Sequence, residues 1–157
     1  MESTFENELN NKGRLIYTNK GTSMMPLLRQ HHDLIIIEKP EGRLKKYDVP
    51  LYKREGGKYI LHRILKVRDH DYVICGDNLT VLEYGITDDD IIGVMTGFVR
   101  DGKTHYVNEP GYLFYVHLWC DFLPVRFFLL KVRNRLRRYG GAVLRRLRRN
   151  RSTNYRK

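Results

Sequence analysis

Residues 58–78 read KYILHRILKVRDHDYVICGDN, and how this stretch is read decides the architecture. Two runs rich in β-branched and aromatic residues, 58–67 and 72–76, flank Asp-His-Asp, a composition that turns a chain more readily than it extends one. Strand signals continue on both sides with LIIIE (34–38), DVPLYKR (48–54), IIGVMTGFV (91–99) and KTHYV (103–107), punctuated by KPEG, EGG and RDG. A spacing of about ten residues predicts a mainly β fold, a compact antiparallel barrel or sandwich rather than a βαβ arrangement. Ahead of these strands, residues 3–12 predict a short helix with Ser3 as N-cap and Glu6 as its capping-box partner.

The character changes near Pro110. Residues 124–157 hold 13 Lys or Arg and no Asp or Glu, which leaves 16 cations against all 18 acids in residues 1–123, a net charge of about −2 there. The formal charge of +11 therefore belongs to the C-terminal segment. The expected division is a β-rich domain at 1–109 and an aromatic, Arg-rich helical tail at 110–157. Phe128, Val132, Leu136 and Tyr139 recur at helical spacing opposite Arg133, Arg135, Arg137 and Arg138. That pattern predicts an amphipathic basic helix, with Gly140-Gly141 separating it from a second short basic helix. A polycationic face of this kind seeks an anionic membrane surface or nucleic acid. The aromatics beside it favour the membrane, with Trp119, Phe127, Phe128, Arg133, Arg137 and Arg138 as the contacts.

Several classes are disfavoured. Cys75 and Cys120 stand far apart and form no C-x-x-C pair, so neither a disulfide framework nor a zinc knuckle is indicated. His31, His32, His62 and His70 match no metal-ligand spacing, and no cofactor is expected. The opening MESTFENELNNKGRL lacks the apolar core of a secretory signal. Gly111–Leu130 approaches the length of a membrane span but contains His117, Asp121, Pro124 and Arg126, so it is expected to lie at an interface. Together these features predict a membrane-associated chain on the cytoplasmic face.

Chemistry concentrates in three places. GTSMMP (21–26) presents Ser23, a hydroxyl that needs a base within hydrogen-bond reach to act as a nucleophile. His62, among aliphatic residues on the 58–67 strand and aligned by alternation with Ile60 and Ile64, is a suitable base. Asp77, in the turn CGDN (75–78), is placed to orient His62 or to shape the site. GTSMMP, then DVPLY (48–52), LHRILKV (61–67) and GDN (76–78), in this order over residues 20–100, resemble the boxes of the type I signal peptidase and LexA-like serine peptidase superfamily.

That resemblance implies Ser23 as nucleophile, Met24 as its buried neighbour, and His62 at the position where many members carry a lysine base. A histidine there is similar to the Ser-His signal peptidases of the endoplasmic reticulum and archaea. In that type an acid follows the GDN box, and Glu83 stands where an aspartate is usual. Many members have Ser-Gly before the nucleophile, whereas this chain has Gly21-Thr22, so the implied oxyanion donors are the Ser23 N–H and the Thr22 hydroxyl. The implied activity is cleavage of an extended signal- or leader-like peptide within a precursor protein. A self-cleaving LexA-type regulator and an inactive peptidase-fold binding module are the alternatives.

Overall fold

The computed structural model describes residues 4–154 apart from residue 55, with side chains described as far as Tyr139. It divides into two compact units, Met1–Phe122 and Leu123–Lys157. The first is mainly β, an antiparallel sheet curled into a half-barrel behind a short N-terminal helix.

Helix α1 (Phe5–Lys12) is capped by Thr4 rather than Ser3, the Asn7 N–H donating to Thr4 Oγ1 at 3.3 Å. It ends at Gly13, whose φ of 69° closes the helix with a hydrogen bond from its N–H to the Leu9 carbonyl. A left-handed residue is what this C-cap requires, and glycine supplies it without a Cβ clash. Leu9 rests over Gly93, where an added Cβ would lie 3.0 Å from Leu9 Cδ2 and 2.4 Å from Ile37 Cγ2, so glycine is what lets the helix seat on the sheet.

Among the described residues nine strands follow: β1 (Arg14–Thr18), β2 (Leu34–Glu38), β3 (Pro50–Lys53), β4 (Tyr59–Leu61), β5 (Arg63–Val67), β6 (Tyr72–Cys75), β7 (Glu83–Ile86), β8 (Ile91–Arg100) and β9 (Lys103–Tyr106). One sheet runs β1-β2-β8-β3-β4 with β9 also on β8, and the second runs β5-β6-β7; every pairing is antiparallel. Leu44, Tyr52, Ile64, Tyr72 and Ile74 form a buried cluster that draws on both sheets.

The predicted strand 58–67 is two strands, not one. The ladder breaks at His62, leaving β4 in the larger sheet and β5 in the smaller, so the chain changes sheets at the histidine. Strict alternation across His62 therefore fails: His62, Arg63, Ile64 and Leu65 are all buried. A register shift between Ile64 and Lys66 absorbs the extra residue.

Helix α2 (Pro110–Cys120) belongs to the β unit, so the division falls after Phe122 rather than at residue 109. Helix α3 (Leu123–Asn154) is continuous through Gly140-Gly141, where a break was expected. Each glycine costs a helix about 1 kcal/mol relative to alanine, and the surrounding Leu and Arg residues are good helix formers that carry it across. Among the described residues no single helix is long and apolar enough to cross a membrane.

Candidate active site

Ser23 lies in a turn between β1 and β2. Asn19 braces the start of that loop: its side-chain oxygen accepts from the Gly21 N–H at 3.2 Å and its amide donates to the Leu28 carbonyl at 3.3 Å. Met24, 2% exposed, and fully buried Leu28 pin the loop from beneath. The Leu28 N–H to Met24 carbonyl bond of 3.0 Å closes it. Ser23 is half-buried and Thr22 exposed, and both line a groove of about 1080 Å³ in the β unit.

His62 lines the same groove at 4% exposure. Its Nδ1 lies 2.7 Å from Glu83 Oε1 on β7, and Tyr52 on β3 donates its hydroxyl to Glu83 Oε2 at 2.7 Å while lying 3.3 Å from the same Nδ1. Arg54 completes the set with an ion pair to Glu83. Burial pushes the Glu83 carboxyl up, but the hydrogen bonds from Arg54 and Tyr52 outweigh it and hold the group below the ordinary carboxylate value. An ionised Glu83 can only accept, so Nδ1 carries the proton and Nε2 of the neutral ring is free to take one. Burial lowers the His62 pKa below its ordinary 6.5, and the nearby Glu83 charge offsets only part of that shift.

Gly76, the first residue of GDN, joins the two halves of the site. A Cβ there would lie 2.7 Å from the Ser23 carbonyl oxygen and 3.0 Å from both Nε2 and Cδ2 of His62. The loop that bears Ser23 and the imidazole edge thus approach from two sides a space too small for a methyl group. Among the described residues Ser23 Oγ makes no hydrogen bond to His62, and the Ser23 N–H donates to no backbone carbonyl. Asn78 locks the loop, its N–H donating to the Ser23 carbonyl at 2.7 Å and its side-chain amide to the Thr22 carbonyl at 2.9 Å.

Asp77 does not touch His62. It is fully buried and takes both arms of Arg63, Nε to Oδ1 at 2.9 Å and Nη2 to Oδ2 at 2.8 Å, together with the Tyr115 hydroxyl at 3.0 Å. Burial works against the Arg63 charge, yet Asp77 holds its pKa well above the ordinary arginine value. Arg63 also donates to the Tyr47 carbonyl at 3.0 Å and the Tyr112 hydroxyl at 2.9 Å. Trp119, expected at a lipid interface, donates its indole N–H to the Asp77 carbonyl at 2.9 Å. The inner face of α2 is therefore the wall behind the GDN turn. Of the two acids nominated from sequence, Glu83 orients the histidine and Asp77 shapes the turn.

Four participants escaped the sequence reading: Tyr52, Arg54, Arg63 and Asn78. Tyr52 had no sequence signal of its own, since its place beside His62 follows from the pairing of Tyr52 with Ile60, two residues before the histidine. Arg63 had none, because alternation aimed it away from the histidine face. Among the described residues no group of three or more His, Cys, Asp or Glu is arranged to hold a metal ion.

The ends of the larger sheet complete the groove. β1 and β4 are its terminal strands, and both contribute lining residues, Tyr17 and Thr18 from one and Tyr59, Ile60 and Leu61 from the other. Phe5 of α1 stands between them, its ring 4.9 Å from Tyr17 and 4.6 Å from Tyr59. Chemically the arrangement offers a hydroxyl, a carboxylate-held neutral imidazole and two strand edges around one cavity. Comparison with protein-family models, with curated proteins and with solved structures finds no match, so the reading of this site rests on its geometry and sequence.

Proposed function

We propose that this chain is a serine endopeptidase of the signal-peptidase type that cleaves an extended peptide through an acyl-enzyme. The observation that carries the reading is the imidazole held by Glu83 and facing, across Gly76, the loop that bears Ser23. Ser23 Oγ attacks the scissile carbonyl as His62 Nε2 takes its proton, and Glu83 stabilises the imidazolium that forms. The imidazolium returns that proton to the leaving amine as the C–N bond breaks. Water, deprotonated by the same nitrogen, then attacks the ester and releases the acid and Ser23.

The tetrahedral oxyanion is received by the Ser23 N–H with the Thr22 hydroxyl beside it, each such donor being worth about 3 kcal/mol of transition-state stabilisation. The substrate adds main-chain hydrogen bonds to the free edges of β1 and β4, the mode by which sheet edges bind extended peptides. Met24, Ile60, Leu61, Leu79 and Val81 line the groove and suit an apolar segment such as a signal or leader peptide. Asp77 handles no proton, because both its oxygens are occupied within the Arg63 and Tyr115 cluster.

A fluorophosphonate probe tests the reading directly. Labelling of the wild type, absent in Ser23→Ala and strongly slowed in His62→Ala, is expected. Equal labelling of Ser23→Ala overturns the assignment, and no labelling of the wild type makes the groove a binding module only.

A further inference from the structure

Helix α3 carries an apolar face that the peptidase reading does not use. Val125, Phe128, Leu129, Val132, Leu136 and Tyr139 are all exposed, from 39% at Val132 to 66% at Phe128 and Leu136. At 3.6 residues per turn these six positions fall within an arc of about 100° and run for about 21 Å along the helix. Lys131, Arg135 and Arg138 project to one side of that arc, and Arg133 and Arg137 to the other. No acidic residue follows Asp121 in the sequence.

We propose that this face of α3 docks on an anionic lipid bilayer, lying in the plane of the interface with its apolar stripe among the acyl chains and its flanking cations on the headgroup phosphates. Large apolar side chains flanked on both sides by cations are the composition of helices that lie in such interfaces. Duplex nucleic acid offers the cations the same phosphates but gives Phe128 and Leu136 nothing apolar to enter. A second copy fits less well still. Pairing two such stripes brings cation against cation along both flanks, with no acid in the helix to separate them. The stripe also divides the residues first expected to bind lipid. Phe128 lies within it and Arg133 and Arg137 border it, while Phe127 is half-buried off the stripe and the Trp119 indole N–H is bonded to Asp77.

The proposal is independent of the peptidase reading and is tested on the full chain by co-sedimentation with two kinds of vesicle. One is phosphatidylcholine alone, and the other contains a quarter phosphatidylglycerol. Wild type is expected to sediment with the anionic vesicles and not the neutral ones. Phe128→Ser with Leu136→Ser, and separately Arg137→Glu with Arg138→Glu, should each weaken binding about tenfold or more. Circular dichroism checks that the helix persists; if the serine pair loses helix, the glutamate pair decides. Wild type that ignores anionic vesicles, a serine pair that is still helical and binds them undiminished, or a helical glutamate pair that binds them undiminished overturns the proposal. Duplex DNA bound more tightly than vesicles assigns the face to nucleic acid, and a dimer that the serine pair dissociates with vesicle binding unchanged assigns it to a second copy.

Discussion

Replacing Gly76 by alanine probes the geometry of the site through one methyl group. The new Cβ meets the Ser23 carbonyl oxygen at 2.7 Å, where ordinary contacts begin at 3.4 Å, so the two must separate by about 0.7 Å. That oxygen is backbone and is held on its other side by the Asn78 N–H at 2.7 Å, so relief by a rotamer change is closed to it. The His62 ring, at 3.0 Å, is held at Nδ1 by Glu83 and resists in turn. Overpacking of this kind costs about 1–3 kcal/mol, which lowers the melting temperature of a unit this size by roughly 4–12 °C. The chemical cost is of the same order, because a misplacement of about 1 Å slows a reaction on the order of 10²-fold, or about 2.7 kcal/mol. Thermal unfolding and the second-order rate of fluorophosphonate labelling report the two effects separately. A Gly76→Ala protein that melts like wild type and labels at the wild-type rate refutes the placement of Ser23 and His62 on either side of this glycine.

Two further perturbations separate the acids. The labelling rate should rise with pH as His62 loses its proton, with an acid limb below 6.5 because burial lowers that pKa. Glu83→Gln removes the anion that favours the charged ring, so the limb moves to lower pH while the plateau falls by about 10²–10⁴-fold. Arg54→Ala removes a cation, moves the limb upward and leaves the plateau nearly intact; two limbs moving in the same direction would contradict the pairing of Arg54 with Glu83. Asp77→Asn leaves the Arg63 charge buried without its counter-ion. A loss of about 3–5 kcal/mol is expected in a denaturant titration, and a change under 1 kcal/mol would show that the pair is not what holds the turn.

The strands legible in the sequence are those with a strong apolar run. LIIIE and IIGVMTGFV became β2 and β8, the centre of the larger sheet, because they are buried by neighbours on both edges. β1 and β7 were not visible. RLIYT has Leu15 as its one fully buried residue, and EYGI has none, with Gly85 at a φ of 77° interrupting the pattern. The change of sheet at His62 was also hidden, because alternation describes one continuous strand and has no symbol for a chain that leaves one ladder and joins another. Ser23 and His62 could be nominated from the sequence because a hydroxyl and an imidazole are residue types recognisable by their chemistry, and the structure places both along one groove. Their supports could not be, because a buried Arg63 or a hydroxyl such as that of Tyr52 gains its role only from contacts far apart in the chain.

The two acids near the GDN turn show how environment separates groups of similar chemistry. Asp77 has every oxygen engaged by Arg63 and Tyr115 with no solvent contact, so it acts as a fastener between β5, the turn and α2. Glu83 keeps 14% of its side chain exposed and offers Oε1 to the histidine. A glutamate has one more rotatable bond than an aspartate, and that freedom would blur the orientation of the imidazole if it were left loose. Tyr52 and Arg54 remove it by holding the carboxylate from β3 and the segment just beyond it, which the pairing of Leu51 with Leu61 and Tyr52 with Ile60 brings beside His62. The same Arg54 charge opposes protonation of the ring, in the same direction as burial. The outcome is an imidazole that is neutral and oriented at physiological pH, the state the proposed reaction asks of its base, without the stronger desolvation that a lysine in its place would need.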